Sequence, residues 1–592
     1  MLKKRSQISA EYKWDTTHIY STFEDFQKDL KTLEKGADEI ASFKDKLGDK
    51  ESLKKYFNKM EELSKIGEKL GAYVYLNHSS DMEDQKYVGL LNTLGDIETK
   101  LSVADSFSDS ELLKLGDKKI DEYIADPDFK NFRLDLIELK RGRAHVLNEE
   151  LERVISASGD FAGEFSNVFD NIDTIDVKFD PITVDGKKYE VNNSNYSLLL
   201  ENKNAEVRNK AFKSLMGGYM RLGNTIATTY IANVKKDKFY STVYKFDDTL
   251  SQSLFGNNLP ITLYEKLVDE VRLNVKYLHK YLHLRKKALG LKTLEHSDLR
   301  VAITKSHQKP KYSEMCDTIL KALAVLGDKY TSVVKSAIKQ NWIDVYPTLN
   351  KDTGGYCLGV YGVHPYILLN TVDNLESEFT LIHEMGHAMH SYFSDLSLPY
   401  NLSQYPIFLA EIASTTNEVL LLKYLYNNAK NKDEKIYLLD KYLQMFRTTI
   451  FRQTMFSEFE DFAHKVVEKG EPMSKDVLVE KYASLVKFYH GTAVKPNKEI
   501  AHEWLRIPHF YRSYYVFKYA TGLISAISLA NHILSDNSFK DDYIKFLSSG
   551  GSDYPLEILK RAGVDLTTAK PYEDAFKEMR WALSELEKAL KN

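Results

Sequence analysis

The segment His383-Glu384-Met385-Gly386-His387 constrains this chain more than any other stretch of its sequence. On an α-helix, residues four apart lie about 40° apart in projection, so both imidazoles share one face and can grip one ion. Asp373-Asn374-Leu375-Glu376 offers a capping box just upstream, and the spacing predicts a helix that runs through Phe393. Glu384 lies about 100° round from His383, beside a metal rather than on it. There a carboxylate can take a proton from a metal-bound water while the ion lowers the pKa of that water and polarises a carbonyl. With 16 His in 592 residues, chance yields roughly 0.03 such patterns. A near miss, His502-Glu503-Trp504-Leu505-Arg506, has Arg where the second His would stand.

A catalytic zinc site needs a third protein ligand and an open position. His390 and Asp395 sit on the same helix, and three ligands on successive turns spread along its axis by about 10 Å. A carboxylate from a second helix converges better. Pro406 to Tyr424 reads as that helix, with Glu411 and Glu418 seven apart on one face and 27 residues between His383 and Glu411. Glu411 is the expected ligand, and Glu418 the partner that orients a His.

The rest of the chain supplies a helical body. Thirteen Pro and 28 Gly are few for this length, which favours long helices over many short strands. Phe23, Phe26, Leu30 and Leu33 form one apolar stripe, and Asp81 to Leu101 and Leu147 to Ile155 behave likewise. The period changes near 176–191, where Ile182, Val184, Tyr189 and Val191 flank Asp185-Gly186, a hairpin signal. Residues 351–370 read as a glycine-bearing loop feeding a strand from Tyr366 to Asn370, and Trp504 to Tyr519 has seven aromatics in sixteen residues. No linker or repeat separates independent domains. The expected organisation is an N-terminal helical lobe over 1–195 and a catalytic region over 196–592.

Eighty-one Lys plus Arg against 85 Asp plus Glu leave a net charge of −4. Such a balance gives no support for a nucleic-acid partner. The absence of any ~18-residue apolar run argues against a membrane span, and Met1-Leu2-Lys3-Lys4-Arg5 is not followed by a signal-peptide core. Two Cys, Cys316 and Cys357, exclude a disulfide framework and fit a cytoplasmic location.

Three segments carry a resemblance: His383-Glu384-Met385-Gly386-His387, Ala410-Glu411-Ile412-Ala413-Ser414-Thr415, and Ile507-Pro508-His509-Phe510-Tyr511 running into Tyr515-Val516-Phe517-Lys518-Tyr519-Ala520-Thr521-Gly522. With Tyr12-Lys13-Trp14-Asp15 and Gly362-Val363-His364-Pro365-Tyr366-Ile367 they resemble, in the same order and over essentially the whole chain, oligoendopeptidase F of the thimet-oligopeptidase-like M3 metallopeptidases. The resemblance implies one zinc ion held by His383, His387 and Glu411, with Glu384 as general base. It implies a mainly α fold of the gluzincin type, two helical lobes enclosing a deep channel that admits oligopeptides.

Peptide hydrolysis also needs donors for the charge that builds on the carbonyl oxygen. His509, Tyr511, Tyr514 and Tyr515 are the candidates, the three phenols at i, i+3 and i+4 reading as one helical face. Family members often carry Phe at the position of Tyr514, so Tyr511 and Tyr515 are the preferred pair beside His509. The strand from Tyr366 to Asn370 is expected to accept substrate backbone as an added strand, with a buried core strand as the alternative that its apolar run also fits, and Cys357 reads as inert packing. The expected activity is zinc-dependent endopeptidase action on short peptides. A dipeptidyl carboxypeptidase and a silent metal- or peptide-binding protein are the alternatives. No carboxylate clamp for the former is assignable, and Glu384 argues against the latter.

Overall fold

The computed structural model describes residues 2–304 and 308–591. The chain divides into two units interleaved along the sequence: Met1–Ala144 with Gln308–Tyr424 and Leu529–Gly563, and His145–His307 with Leu425–Ser528 and Val564–Asn592. Both are built mainly of α-helices, as the shortage of Pro and Gly predicts.

The first unit opens with helices α1 (Phe23–Ala41), α2 (Lys50–Ser80) and α3 (Gln85–Asp105), which pack on one another. Thr22 caps α1 by accepting from the Asp25 N–H, satisfying a donor that the first turn leaves open. The stripe read from the sequence faces the core: Phe26 and Leu33 are buried, and Phe23 and Leu30 pack at its edge. The expected hairpin forms in the second unit as β1 (Ile182–Val184) and β2 (Lys187–Tyr189), paired antiparallel. Asp185 and Gly186 both take positive φ, +50° and +73°, the backbone that a tight two-residue turn requires.

A three-stranded sheet in the first unit lies beside the chemistry. It runs in the order β3 (Ile343–Asp344), β5 (Tyr366–Leu368), β4 (Tyr356–Leu358), with β3 parallel and β4 antiparallel to β5. Here two expectations are corrected. The strand expected over Tyr366–Asn370 forms over Tyr366–Leu368 as the central one, fully buried and paired on both sides, so it has no free edge for a substrate. The segment read as loop contains an edge strand, β4. The loop between β3 and β4 is pinned by Lys351, whose buried ammonium meets Asp344 Oδ1 at 2.7 Å and donates to the carbonyl of Tyr346 at 2.8 Å.

Next come α4 (Leu375–Ser397) and α5 (Ile407–Asn427), and α6 (Phe517–Ser535) follows the aromatic segment. The cap of α4 falls one residue later than the sequence suggested: Asn374 accepts from the Ser377 N–H. The helix also continues a turn beyond Phe393. Leu381, Ile382, Met385, Ala388, Met389 and Phe393 anchor it in the core, which holds the intervening histidines in fixed directions.

Candidate metal centre

His383, Glu384 and His387 occupy the middle of α4, and α5 brings Glu411 to them. One donor atom from each of His383, His387 and Glu411 lies within 4.8 Å of the other two. Glu411 Oε2 stands 3.5 Å from His383 Nε2 and 3.8 Å from His387 Nε2. Two imidazole nitrogens and one carboxylate oxygen at these separations match a three-ligand catalytic zinc site that leaves a fourth position open.

Gly386 lets the two helices come this close. A Cβ there would stand 2.5 Å from the Ser414 Cα and 2.8 Å from the Ala413 carbonyl oxygen, so any side chain would push α5 and Glu411 away. One further contact holds the crossing, and a second, within α5, steadies the Glu411 carboxylate. Asn417 Nδ2 donates to the Ile382 carbonyl at 3.4 Å, and the Ser414 hydroxyl donates to Glu411 Oε2 at 3.2 Å. Neither Ser414 nor Asn417 was singled out from the sequence. Their signal is small polar residues on an otherwise apolar helix, one helical turn or two from Glu411.

Glu418 bonds His383 Nδ1. That contact fixes the ring so that Nε2 turns to Glu411, the arrangement in which a carboxylate raises the basicity of a ligating imidazole. Burial lowers His383, but the hydrogen bond to Glu418 and the charges of Glu418, Glu384 and Glu411 outweigh it and lift its pKa to about 9, whereas burial and the neighbouring His383 drop His387 to about 3. Glu384 is buried, and burial raises its carboxyl to about 7. The chain entering β4 passes beside it: a Cβ on Gly355 would be 3.5 Å from Glu384 Oε1. Cys357, in β4, is pushed up by burial first and by Glu384 second, which keeps it a thiol.

His390 is turned away from this group. Its ring stacks on Tyr405 at 3.6 Å, and neither nitrogen finds a hydrogen-bond partner among the described residues. Burial drops its pKa to about 3, as for a neutral core histidine. Asp395, the other alternative on α4, is also outside the group.

In the second unit the aromatic segment does not form the shared helical face that the spacing of Tyr511, Tyr514 and Tyr515 suggested. Two 3-10 helices, Ile500–Arg506 and Pro508–Tyr511, are followed by a turn before α6 begins. Tyr514 sits in that turn at φ +50°, where its N–H donates to Glu460 Oε1 at 2.6 Å and its ring is buried against Tyr264 and His464. The three phenols therefore point apart. Tyr511 stacks on Phe169 at 4.8 Å, and its buried hydroxyl has no hydrogen-bond partner among the described residues. Tyr515 stacks with His509 at 6.0 Å, and the Tyr519 hydroxyl lies 3.4 Å from His509 Nε2. Tyr519 is a neighbour of His509 that the sequence reading missed. The four-residue spacing from Tyr515 was its only signal.

The chain matches the model of Peptidase family M3 over residues 198–578 and that of Oligopeptidase F over residues 111–179. It is 36% identical to Oligopeptidase PepF of Bacillus subtilis across 100% of this chain and 89% of that one. A solved protein of Chlamydophila abortus superposes with a TM-score of 0.93 at 30% identity, covering 100% of both chains. The crystal structure of oligoendopeptidase-F from Enterococcus faecium gives 0.75 at 31% identity, covering 96% of this chain and 99% of that one.

Proposed function

This chain belongs to peptidase family M3, and from that premise we propose that it is a zinc-dependent endopeptidase hydrolysing internal bonds of short, unfolded oligopeptides. The observation that carries the reading is the convergence of His383, His387 and Glu411 with Glu384 one residue from a ligand. His383 and His387 through Nε2 and Glu411 through its carboxylate are the assigned ligands of one zinc ion. When bound, that ion supplies Lewis-acid polarisation of the scissile carbonyl and a lowered pKa for water at the open position.

Glu384 is assigned as general base. It takes a proton as the water oxygen bonds to the carbonyl carbon, and gives it to the amine nitrogen as the C–N bond breaks. Glu418 holds His383 in one tautomer and orientation throughout. The edge of β4, which passes Glu384, is assigned to bind the peptide main chain as an added strand. Ladder hydrogen bonds ignore side-chain identity, so tolerance of sequence follows.

His509 and Tyr515 are assigned as donors to the developing oxyanion, with Tyr519 orienting the imidazole. Tyr511, which the sequence grouped with them, is assigned to packing because its ring lies against Phe169 and Tyr230 rather than His509. In this reading 196–592 carries the peptidase chemistry and 1–195 forms the N-terminal part, and the enzyme serves peptide catabolism in the cytoplasm. No helix among the described residues is long and apolar enough to cross a membrane.

Mass-spectrometric mapping of the cuts in peptides of graded length tests this reading. Internal cuts that stop on chelation and return with zinc are expected. Stepwise release of C-terminal dipeptides instead would make the chain an exopeptidase.

A further inference from the structure

The second unit contains a cavity of about 270 Å³ with a cationic wall. Arg300, Arg447, Arg452 and Arg506 line it, and Glu503 is the one carboxylate among its described lining residues. Glu503 is already committed: it accepts from Arg452 Nη2 at 2.7 Å and from the Tyr482 hydroxyl at 2.6 Å. The other three guanidinium groups have no carboxylate within salt-bridge distance among the described residues. Arg447, 8% exposed, donates from Nε to Gln444 Oε1, and Arg300 donates from Nη1 to Ser197 Oγ. The buried Nε of Arg506 has no hydrogen-bond partner among the described residues, and its guanidinium lies 5.4 Å over the Tyr196 ring.

Burying cations without compensation is costly, and it is felt here. Burial, with Arg285, Arg452 and Arg300 nearby, holds Arg447 down to about 9. Arg300, exposed as a residue but with its guanidinium partly desolvated, is likewise lowered, by that desolvation first and then by Arg452 and Arg506, with Tyr196 and Glu201 opposing. The hydroxyls of Ser197 and Thr449 also line the cavity, while that of Thr448 is spent on the Gln444 carbonyl at 2.8 Å. Guanidinium forks and hydroxyl donors around one space are the donor set that binds tetrahedral oxyanions.

The same segment explains the near miss in the sequence. His502-Glu503-Trp504-Leu505-Arg506 lies in the 3-10 helix Ile500–Arg506, where residues three apart eclipse. Glu503 and Arg506 thus both reach the cavity, while His502 bonds the Lys498 carbonyl instead.

We propose that this cavity is a binding site for a multiply charged phosphate-class oxyanion, such as pyrophosphate or a compact organic bisphosphate. A single carboxylate would leave two of the three unmatched guanidinium charges uncompensated, and the cavity has room for more than one tetrahedral group. The inference does not rest on the peptidase reading.

Calorimetric titration of the full, zinc-loaded chain with pyrophosphate and with inorganic phosphate tests it. Saturable binding at one site is expected, tighter for pyrophosphate. Arg300→Gln, a change at an exposed residue, and Arg506→Gln should each weaken it by about 10-fold or more. Capture of the zinc by pyrophosphate would persist unchanged in both variants, and that result would overturn the proposal. So would no saturable binding at millimolar pyrophosphate, or displacement of pyrophosphate by a free-carboxylate peptide but not by its C-terminal amide. The Arg300 variant should retain the unfolding midpoint of the parent protein, which separates lost binding from lost structure.

Discussion

The corner formed by α4 and α5 and the segment from Ile500 to Tyr519 both carry polar side chains assigned to the reaction, but they are built on different principles. In the first, two regular helices present His383, His387 and Glu411 from a packed core, and Gly386 sets the closeness of their approach. In the second, two short 3-10 helices and the left-handed Tyr514 break the chain into separate directions. Helical spacing decides who meets whom only where the backbone stays helical. Where a buried carboxylate such as Glu460 captures a backbone N–H, tertiary structure decides instead.

Glu384→Gln should break the chemistry while leaving the corner intact. Peptide hydrolysis should fall by about 10²–10⁴-fold or more with zinc content unchanged, measured by steady-state cleavage of a quenched peptide alongside metal analysis. Tyr515→Phe and Tyr511→Phe sharpen the contrast within the aromatic segment. Loss of an oxyanion donor costs about 10²–10³-fold in kcat, expected for Tyr515, whereas Tyr511→Phe should leave kcat within about 3-fold. Equal losses in the two variants would return Tyr511 to the site.

A smaller effect is expected at Glu418, which acts through His383. Glu418→Gln should weaken zinc affinity by about 10–100-fold, read by competition with a chromophoric chelator, and added zinc should restore activity. Gly386→Ala probes the crossing itself. Its Cβ meets backbone rather than a movable side chain, so a loss of about 1–3 kcal/mol in unfolding free energy is expected, together with weaker zinc binding. Unaltered stability and zinc affinity would mean that the helices are not held at contact there.

Much of the metal corner was legible because its residues obey one period. The four-residue step from His383 to His387 and the seven-residue step from Glu411 to Glu418 each keep a face, and the structure brings those faces together. The hairpin at Asp185-Gly186 was legible for a similar reason, since few residue pairs accept two successive positive φ values. Strand order was not. The apolar run of Tyr366 to Leu368 signals burial, yet burial alone does not tell a central strand from an edge, and β4 hides in a glycine-bearing stretch too short to show alternation. Tyr514 misled because a bulky residue at φ +50° is held there by Glu460, 54 positions away. The charge of the arginine-lined cavity was likewise invisible, because its four arginines come from three separated stretches of a nearly neutral chain.

The account turns on a third ligand from the second helix rather than from the third histidine of α4. Zinc stoichiometry of purified Glu411→Ala and His390→Phe proteins, measured by elemental analysis after dialysis, tests it most directly. His390→Phe keeps the stacking on Tyr405 and should retain about one zinc per chain, whereas Glu411→Ala should fall far below that. Full zinc in Glu411→Ala with loss in His390→Phe would contradict the account.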